Sequence, residues 1–539
     1  MADVDLAVVG AGFSGLYLAH RATQAGLSVR VLEAGSGVGG TWFWNRYPGA
    51  RCDVESIDYS YSFSEELQQE WQWSERYASQ PEILRYLEHV ADRFDLRRHI
   101  SLDTRVTAAR FDESADTWTV TTERGEEITA SFVVMATGGL SAPKRPDFPG
   151  LEDFRGDWYH TARWPDGGVD FTGKRVAVVG TGSTGIQAIP QIAAQAEHLV
   201  VLQRTPNFSV PARNRPLEAE EIAAVKADYA GRRARGRVAP SGVPSDTQPQ
   251  PGAGTSLEER SAHYEAGWAK GGAPGLLRSY SDLLLDEEVN ASLQDFVREK
   301  ITEIVDDPQT AATLSPYGYP IGAKRLCVDT DYYATYNRPN VELVDVRKTP
   351  ITGITEAGIR TGDTVHEVDV LVFAIGFDAI SGAVREIDVR GRGGRSLSDA
   401  WSDGAEATLG LTVGGFPNLF LVNGPGSPAV LGNVVAFLEH HVEWITDCVE
   451  YLRRNGICTI ESTPESDAAW ARRVDEVAAT TLYPKADSWF VGANIPGKPR
   501  RFLPYAGGLH TYRERCARAA EKGYAEDFVL DAGRDGSSA

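Results

Sequence analysis

Two glycine-rich turns are the residues whose type and spacing most directly imply chemistry. Gly10-Ala11-Gly12-Phe13-Ser14-Gly15 follows the apolar run Leu6 to Val9, and Gly180-Thr181-Gly182-Ser183-Thr184-Gly185 follows Val176 to Val179. In each, the first glycine allows a tight turn, the second lets a pyrophosphate reach the backbone, and the third lets helix and strand pack closely. The helix start offers free N–H groups and the positive end of its dipole to a phosphate. Each turn therefore predicts a dinucleotide site. After the first, the next strand ends at Glu33, whose carboxylate can accept hydrogen bonds from ribose hydroxyls. After the second, the equivalent position is Gln203, followed by Arg204. No acid stands there to repel a 2′-phosphate, and a guanidinium fork can hold one. The second site is thus expected to take NADPH in preference to NADH. Lys324 is a further candidate for the phosphate, and Gln187 for the same site. A turn at the extreme N-terminus favours FAD for the first.

The elements that must position these turns read as two βαβ units. The first runs from Leu6 through a helix at about 14–24 to the strand Ser28 to Leu32. The second runs from Val176 through a helix ending near Gln195 to Leu199 to Leu202. The fold class expected is α/β, with two Rossmann-like dinucleotide-binding domains and a helical insertion. Residues 1–140 and 376–539 are assigned to an FAD domain, 141–214 and 321–375 to an NADPH domain, and 215–320 to the insertion. Helical spacing covers Leu217 to Tyr229 and Asp295 to Val305, with further helices around 439–454 and 467–480. Strands are expected at 341–344, 368–375 and 419–422. Between the insertion's helices, Ala239 to Thr255 is rich in Pro, Gly, Ser and Gln, and its composition reads as a disordered linker or a mobile loop beside a substrate entrance.

Bulk composition removes several classes. A chain of 539 residues exceeds one ordinary core, so more than one domain is expected. The formal charge of −21 repels phosphate, which argues against nucleic acid and anionic membrane as partners. The five cysteines are scattered and include no CxxC, so neither a disulfide framework nor a structural metal site is expected. Free thiols, together with no signal-like N-terminus and no membrane-length apolar run, fit a cytoplasmic protein. A monomer is expected.

Between the two units lies Phe154-Arg155-Gly156-Asp157-Trp158-Tyr159-His160-Thr161-Ala162-Arg163-Trp164-Pro165. This matches the FxGxxxHxxxWP fingerprint of the type I Baeyer–Villiger monooxygenases. N- and S-oxygenating flavin relatives usually carry Tyr or Phe where Trp164 stands. A second fingerprint of that family reads Gly39-Gly40-Thr41-Trp42, then Tyr47-Pro48-Gly49, then Asp53. The resemblance spans nearly the whole chain. It is strongest to the phenylacetone and steroid monooxygenase branch, through residues 45–53, 80–84 and 492–497.

The resemblance implies a reaction. NADPH reduces FAD, dioxygen forms a peroxide at the flavin C4a, and the anionic form attacks a ketone to give an ester or lactone. Gly40, Thr41 and Trp42 would lie at the FAD. Arg325, in Ile321-Gly322-Ala323-Lys324-Arg325-Leu326, resembles the family's active-site arginine. It suits an anionic oxidant because its charge survives burial. Asp53 would hold it. Trp489 resembles a tryptophan that donates towards the NADP ribose from a mobile loop. His160 reads as a hinge residue acting through domain motion, and Trp164 as its companion or as packing. The pocket would be lined by Gly139, Leu140, Ala429, Val430, Leu431 and Val434. Gly139 and Val434 are small, so bulky aryl or cyclic ketones are expected. Ile375 stands where relatives often have Thr, with little effect expected. Three rivals stay open: an N- or S-oxygenating flavin monooxygenase, a pyridine nucleotide–disulfide reductase, and a flavoprotein that only senses NADPH. The reductase would need a redox cysteine pair near Cys52, which stands alone.

Overall fold

In the computed structural model the described residues are 2–244 and 249–532. The first βαβ unit builds the larger sheet. Val4–Val9 lies between Glu127–Met135 and Val29–Leu32, all parallel, with Val8 opposite both Val134 and Val31. Leu419–Leu421 pairs parallel with the end of Glu127–Met135, bringing the C-terminal part of the chain into this sheet. An antiparallel ribbon, Val106–Asp112 and Thr117–Thr122, extends the other side of Glu127–Met135. The sequence signals for that ribbon are short and alternating, and they were missed beside the continuous apolar runs.

The second unit builds a five-stranded parallel sheet, ordered Val341–Asp345, His198–Gln203, Arg175–Val179, Val370–Phe373, Asp157–His160. Its inner strands are buried on both faces, which is why they read as unbroken apolar runs. The glycine turns end the first strand of each unit and open the helices Phe13–Gln24 and Ser183–Ala193. A Cβ at Gly15 would lie 1.9 Å from the Gly10 carbonyl oxygen, and one at Gly185 would lie 2.2 Å from that of Gly180. Only glycine permits helix and strand to approach so closely.

The chain crosses between the two sheets at 136–147 and returns at 374–384. The crossings run side by side and are laced by backbone bonds. Ile380 N–H donates to Gly139 O (3.1 Å), Asp378 N–H to Ala142 O (2.9 Å), and Lys144 N–H to Gly376 O (3.0 Å). Two adjacent crossings thus join the two sheets, at the place where the expected two-domain layout puts its hinge.

The described residues between 215 and 320 form mainly helices, as in Leu257–Lys270 and Glu287–Ile304, apart from the stretch that follows Val238. The spacing over 217–229 resolves into two helices, Ala219–Ala227 and Tyr229–Val238, broken at Asp228. The linker reading of Ala239 to Thr255 is corrected over its described ends; 245–248 lie outside the described residues. Ser241 O accepts from Asn433 N–H (2.7 Å), Pro240 O from Leu509 N–H (2.7 Å), and Gly252 N–H donates to Asp282 Oδ1 (2.7 Å). The polar composition that mimics a linker here supplies backbone partners to the C-terminal helices.

Candidate active site

The first glycine loop is built to receive a group at its helix start. Gly12 caps Phe13–Gln24 without any side-chain hydrogen bond, so the first N–H groups of the helix remain available; Phe13 and Ser14 are buried at that end. Glu33 is 4% exposed. Its Oε2 accepts from Ala11 N–H (2.7 Å) and its Oε1 from Gly35 N–H (2.7 Å). The carboxylate thus braces the loop and stands at the strand end where a ribose would lie. The turn Gly39-Gly40-Thr41-Trp42 closes over this loop: Gly39 N–H donates to Ala11 O (2.9 Å), and a Cβ at Gly40 would meet Gly12 Cα at 2.9 Å. Trp42 is buried and donates through Nε1 to the Tyr59 hydroxyl (3.1 Å).

The second loop is more open. Gly182 caps Ser183–Ala193 with no side-chain bond, and a Cβ on it would meet nothing within 4 Å. That is a cradle with room for a phosphate. Thr181 Oγ1 donates to Thr205 O (3.2 Å), and Ser183 Oγ lies 3.1 Å from Cys327 Sγ. Gln203 is buried and donates to Thr313 O (2.8 Å). Arg204 is exposed beside it and has no ion-pair or hydrogen-bond partner among the described residues. Its charge depresses the ammonium of Lys324 and of Lys144, in each case after burial as the larger cause. Lys324 lies over the Tyr319 ring, 4.4 Å from its centroid. Unpaired cations at a strand end, beside an open glycine cradle and with no acid at Gln203, fit a 2′-phosphorylated nucleotide. Lys144 was missed in the sequence because it belongs to the hinge, far from either motif.

Helix Ser183–Ala193 meets the first domain through the 47–51 loop. The Tyr47 hydroxyl donates to Gln187 Oε1 (2.8 Å), and Gln187 Nε2 donates to Arg51 O (3.0 Å). Thr184 lies one turn before that contact. Just beyond the loop, Asp53 meets Arg325. Arg325 Nε donates to Asp53 Oδ2 (2.9 Å), and Nη2 lies 2.8 Å from the same oxygen as an ion-pair contact. This leaves Arg325 Nη1 without a protein partner among the described residues. The Asp53 side chain is 12% exposed and that of Arg325 39%. Burial pushes the Asp53 carboxyl above its ordinary range, against the pull of Arg325, while the Asp53 charge makes Arg325 still harder to deprotonate. The arrangement is a fixed cation with one free donor edge.

Leu140, Ala429, Val430 and Trp489 gather in one apolar cluster with Ala379, Ile380 and Leu503. Gly139 adjoins it, since a Cβ there would lie 3.6 Å from Ile380 N. Leu431 and Val434 instead pack against the larger core of the first domain, and Val434 opens the helix Val434–Arg454. Two cluster residues hold left-handed backbone without being glycine: Ile380 at φ 68° and Ala429 at φ 47°. For a β-branched residue this is a strained conformation, of the kind concentrated at binding sites. Ile380 and Leu503 carry no motif signal. Among the described residues the Trp489 indole N–H makes no hydrogen bond.

The fingerprint between the units forms the edge of the second sheet. Gly156 fits where a Cβ would strike Asp369 O at 2.3 Å and the Phe154 ring at 2.6 Å. His160 ends the edge strand; its Nδ1 accepts from Ala162 N–H (3.0 Å), and among the described residues its buried Nε2 makes no hydrogen bond. Burial pushes the imidazole down to about 4. Trp164 is buried against Tyr159 and Phe171. Neither residue is brought to the Asp53–Arg325 pair by any contact.

Residues 7–227 match the family model described as "Pyridine nucleotide-disulphide oxidoreductase". That stretch holds a single cysteine, Cys52, whose thiol burial pushes up to about 12, so the likeness carries the nucleotide-binding fold and not disulfide chemistry. The chain is 43% identical to the acetone monooxygenase (methyl acetate-forming) of Gordonia sp. (strain TY-5), covering 98% of this chain and 99% of that one. It is 42% identical to a Baeyer–Villiger monooxygenase of Pseudooceanicola batsensis, covering 97% and 96%. A phenazine N-monooxygenase of Lysobacter antibioticus is 41% identical, covering 98% and 97%. Among solved structures, oxidised steroid monooxygenase bound to NADP is similar at TM-score 0.94 and 52% identity, covering 98% and 100%. A complex of OTEMO with FAD and NADP has TM-score 0.94 and 41% identity, covering 98% and 99%. At such identity over nearly its whole length, the chain belongs to the Baeyer–Villiger monooxygenases, a family of FAD- and NADPH-dependent flavoproteins.

Proposed function

We propose that this chain inserts one oxygen atom of dioxygen into a bulky aryl or cyclic ketone, giving an ester or lactone. The observation that carries the reading is Arg325, held by Asp53 through one Nε–H bond and an Nη2 ion-pair contact, with its third nitrogen free. Reduced flavin, bound at Gly10 to Gly15, Glu33 and the Gly40-Thr41-Trp42 turn and charged by NADPH, supplies the activation of dioxygen. Arg325 stabilises negative charge, both on the oxidant and on the ketone oxygen as it is attacked. Asp53 fixes the guanidinium so that its donors need no reorganisation. Arg204 and Lys324 hold the 2′-phosphate of NADPH. Trp489, with Leu140, Ala429 and Val430, covers the reacting centre and excludes water. His160 stays neutral and acts at the hinge.

A second reading, N-oxygenation, is favoured by one relative of near-equal identity that is named for it. Trp164 and the fixed Arg325 favour the ketone. Initial rates with cyclohexanone, phenylacetone and a steroid ketone, set against a tertiary amine and a phenazine, test the reading. Higher kcat/KM for the larger ketones supports it. Turnover confined to small cyclic ketones would remove the bulky-substrate claim, and turnover confined to the nitrogen compounds would remove the reaction.

A further inference from the structure

The segment carrying Trp489 folds back on itself. Trp489–Val491 is a single 3-10 turn, and Gly492 reverses the chain at φ 71°. A Cβ at Gly492 would lie 3.4 Å from Lys498 Cδ, so the Lys498 stem lies across this turn. The Lys498 side chain is only 5% exposed, which is costly for an ammonium unless it is paired. It is paired: Nζ contacts the Asp378 carboxylate and donates to Ala379 O (3.3 Å). Four residues earlier, Asn494 Nδ2 donates to Phe377 O (2.7 Å).

These acceptors at 377–379 belong to the return crossing between the two sheets, the strand of the hinge laced to 139–144. The next residue, Ile380, is the strained one, and it packs with Trp489, Leu140, Ala429 and Leu503. The same few residues thus serve as hinge, pocket wall and anchor for the Trp489 segment. The nearby Arg500–Asp487 pair (2.9 Å) is largely exposed on both sides and ties the segment only to itself.

We propose that Lys498, aided by Asn494, is a positioning residue: a catch that fastens the Trp489 segment to the interdomain hinge, so that seating of Trp489 follows the setting of the two domains. The proposal rests on the reading above that Trp489 faces the bound nicotinamide nucleotide. A buried ammonium paired with the half-buried Asp378 carboxylate gives the segment one favoured seat, and a rotation that displaces 377–379 carries that seat with it. Losing the catch frees Trp489 without touching the glycine cradles, Arg204 or the Asp53–Arg325 pair.

The test uses the FAD-loaded full chain and hydrogen exchange by mass spectrometry over residues 488–500, with and without NADP+, beside NADP+ titration. The variants are Lys498→Met, Asn494→Ala and, as a control, Arg500→Met. In the wild type, NADP+ is expected to slow exchange in this segment. Lys498→Met is expected to raise exchange there and to weaken NADP+ about tenfold, the loss of one ordered charge-assisted bond. Peptides over the glycine loops, FAD content and the Arg500→Met control stay unchanged. Wild-type protection that persists in Lys498→Met, with unchanged NADP+ affinity, overturns the catch alone. No effect of NADP+ on the wild-type segment overturns the reading of Trp489, and the catch falls with it. If Lys498→Met does not retain FAD, Asn494→Ala and Asp378→Asn decide by the same readouts, and silence in both overturns the proposal.

Discussion

Replacing Asp53 by alanine removes both contacts that fix Arg325 while leaving the arginine in place. The Nε–H bond at 2.9 Å and the Nη2 ion-pair contact at 2.8 Å are lost together. Breaking a fully buried ion pair costs about 3–5 kcal/mol. The Arg325 side chain is 39% exposed, so water can take over part of its solvation. The expected loss of stability is therefore nearer 1–2 kcal/mol once screening is counted. Activity should suffer more than stability. Losing a preorganised donor at a developing negative charge costs about 10²–10³ in rate. Because Asp53→Ala keeps the charge and loses only its placement, the lower end, about 10²-fold, is expected in coupled product formation. NADPH consumption should continue, with hydrogen peroxide replacing ester. Asp53→Asn retains one oxygen acceptor and should fall between the two. The assay measures ester, NADPH and peroxide together, with thermal unfolding as a check on folding. An Asp53→Ala enzyme that makes ester at the wild-type rate and stoichiometry would refute the reasoning, because the cation would then need no partner to be effective.

Three further outcomes are expected. Arg204→Ala should weaken NADPH by roughly 10–100-fold, as for one hydrogen bond to a charged group, and leave NADH almost unchanged; an equal loss for both would place the 2′-phosphate elsewhere. Gly185→Ala sets a Cβ 2.2 Å from Gly180 O and should abolish NADP+ binding while FAD content is retained, whereas loss of both together would contradict two separate sites. His160 is held near 4 by burial, against about 6.5 when unfolded. Between those values the unfolded chain binds the extra proton, so this contribution to stability is present above pH 6.5 and lost as pH falls. Roughly 2 kcal/mol should go between pH 6.5 and 5. Buried His441, pushed to about 3, acts with the same sign, so the His160→Gln variant should show a shallower acid slope, not a flat one. An unchanged slope would mean that His160 is solvated in the folded protein.

What the sequence made legible is what local chemistry demands. Glycines at the two turns are required by carbonyls 1.9 and 2.2 Å from where a Cβ would sit, and Glu33 is required by two backbone N–H groups within reach of its own strand end. Those constraints act within about 25 residues of chain and leave motifs. The residues expected at the pocket separate: Leu140, Ala429 and Val430 meet in one apolar cluster, while Leu431 and Val434, partly buried, pack against the larger core where the chain approaches and enters the helix Val434–Arg454. Ile380, Leu503 and Lys498 were not legible. Their roles come from contacts across more than a hundred residues, as with Lys498 and Asp378, and nothing in spacing marks them. The linker reading failed over 239–244 and 249–255 for a related reason, since composition does not reveal a distant helix that needs a carbonyl.

The most direct test of the central claim is aerobic turnover of the purified holoenzyme with NADPH, a bulky ketone and ¹⁸O-labelled dioxygen, followed by mass spectrometry. The account predicts an ester or lactone carrying one labelled oxygen, at about one product per NADPH, and an Arg325→Ala variant that consumes NADPH and yields only peroxide. Ester from the Arg325→Ala variant at wild-type stoichiometry, or label appearing only in oxidised nitrogen or sulfur compounds, would contradict it.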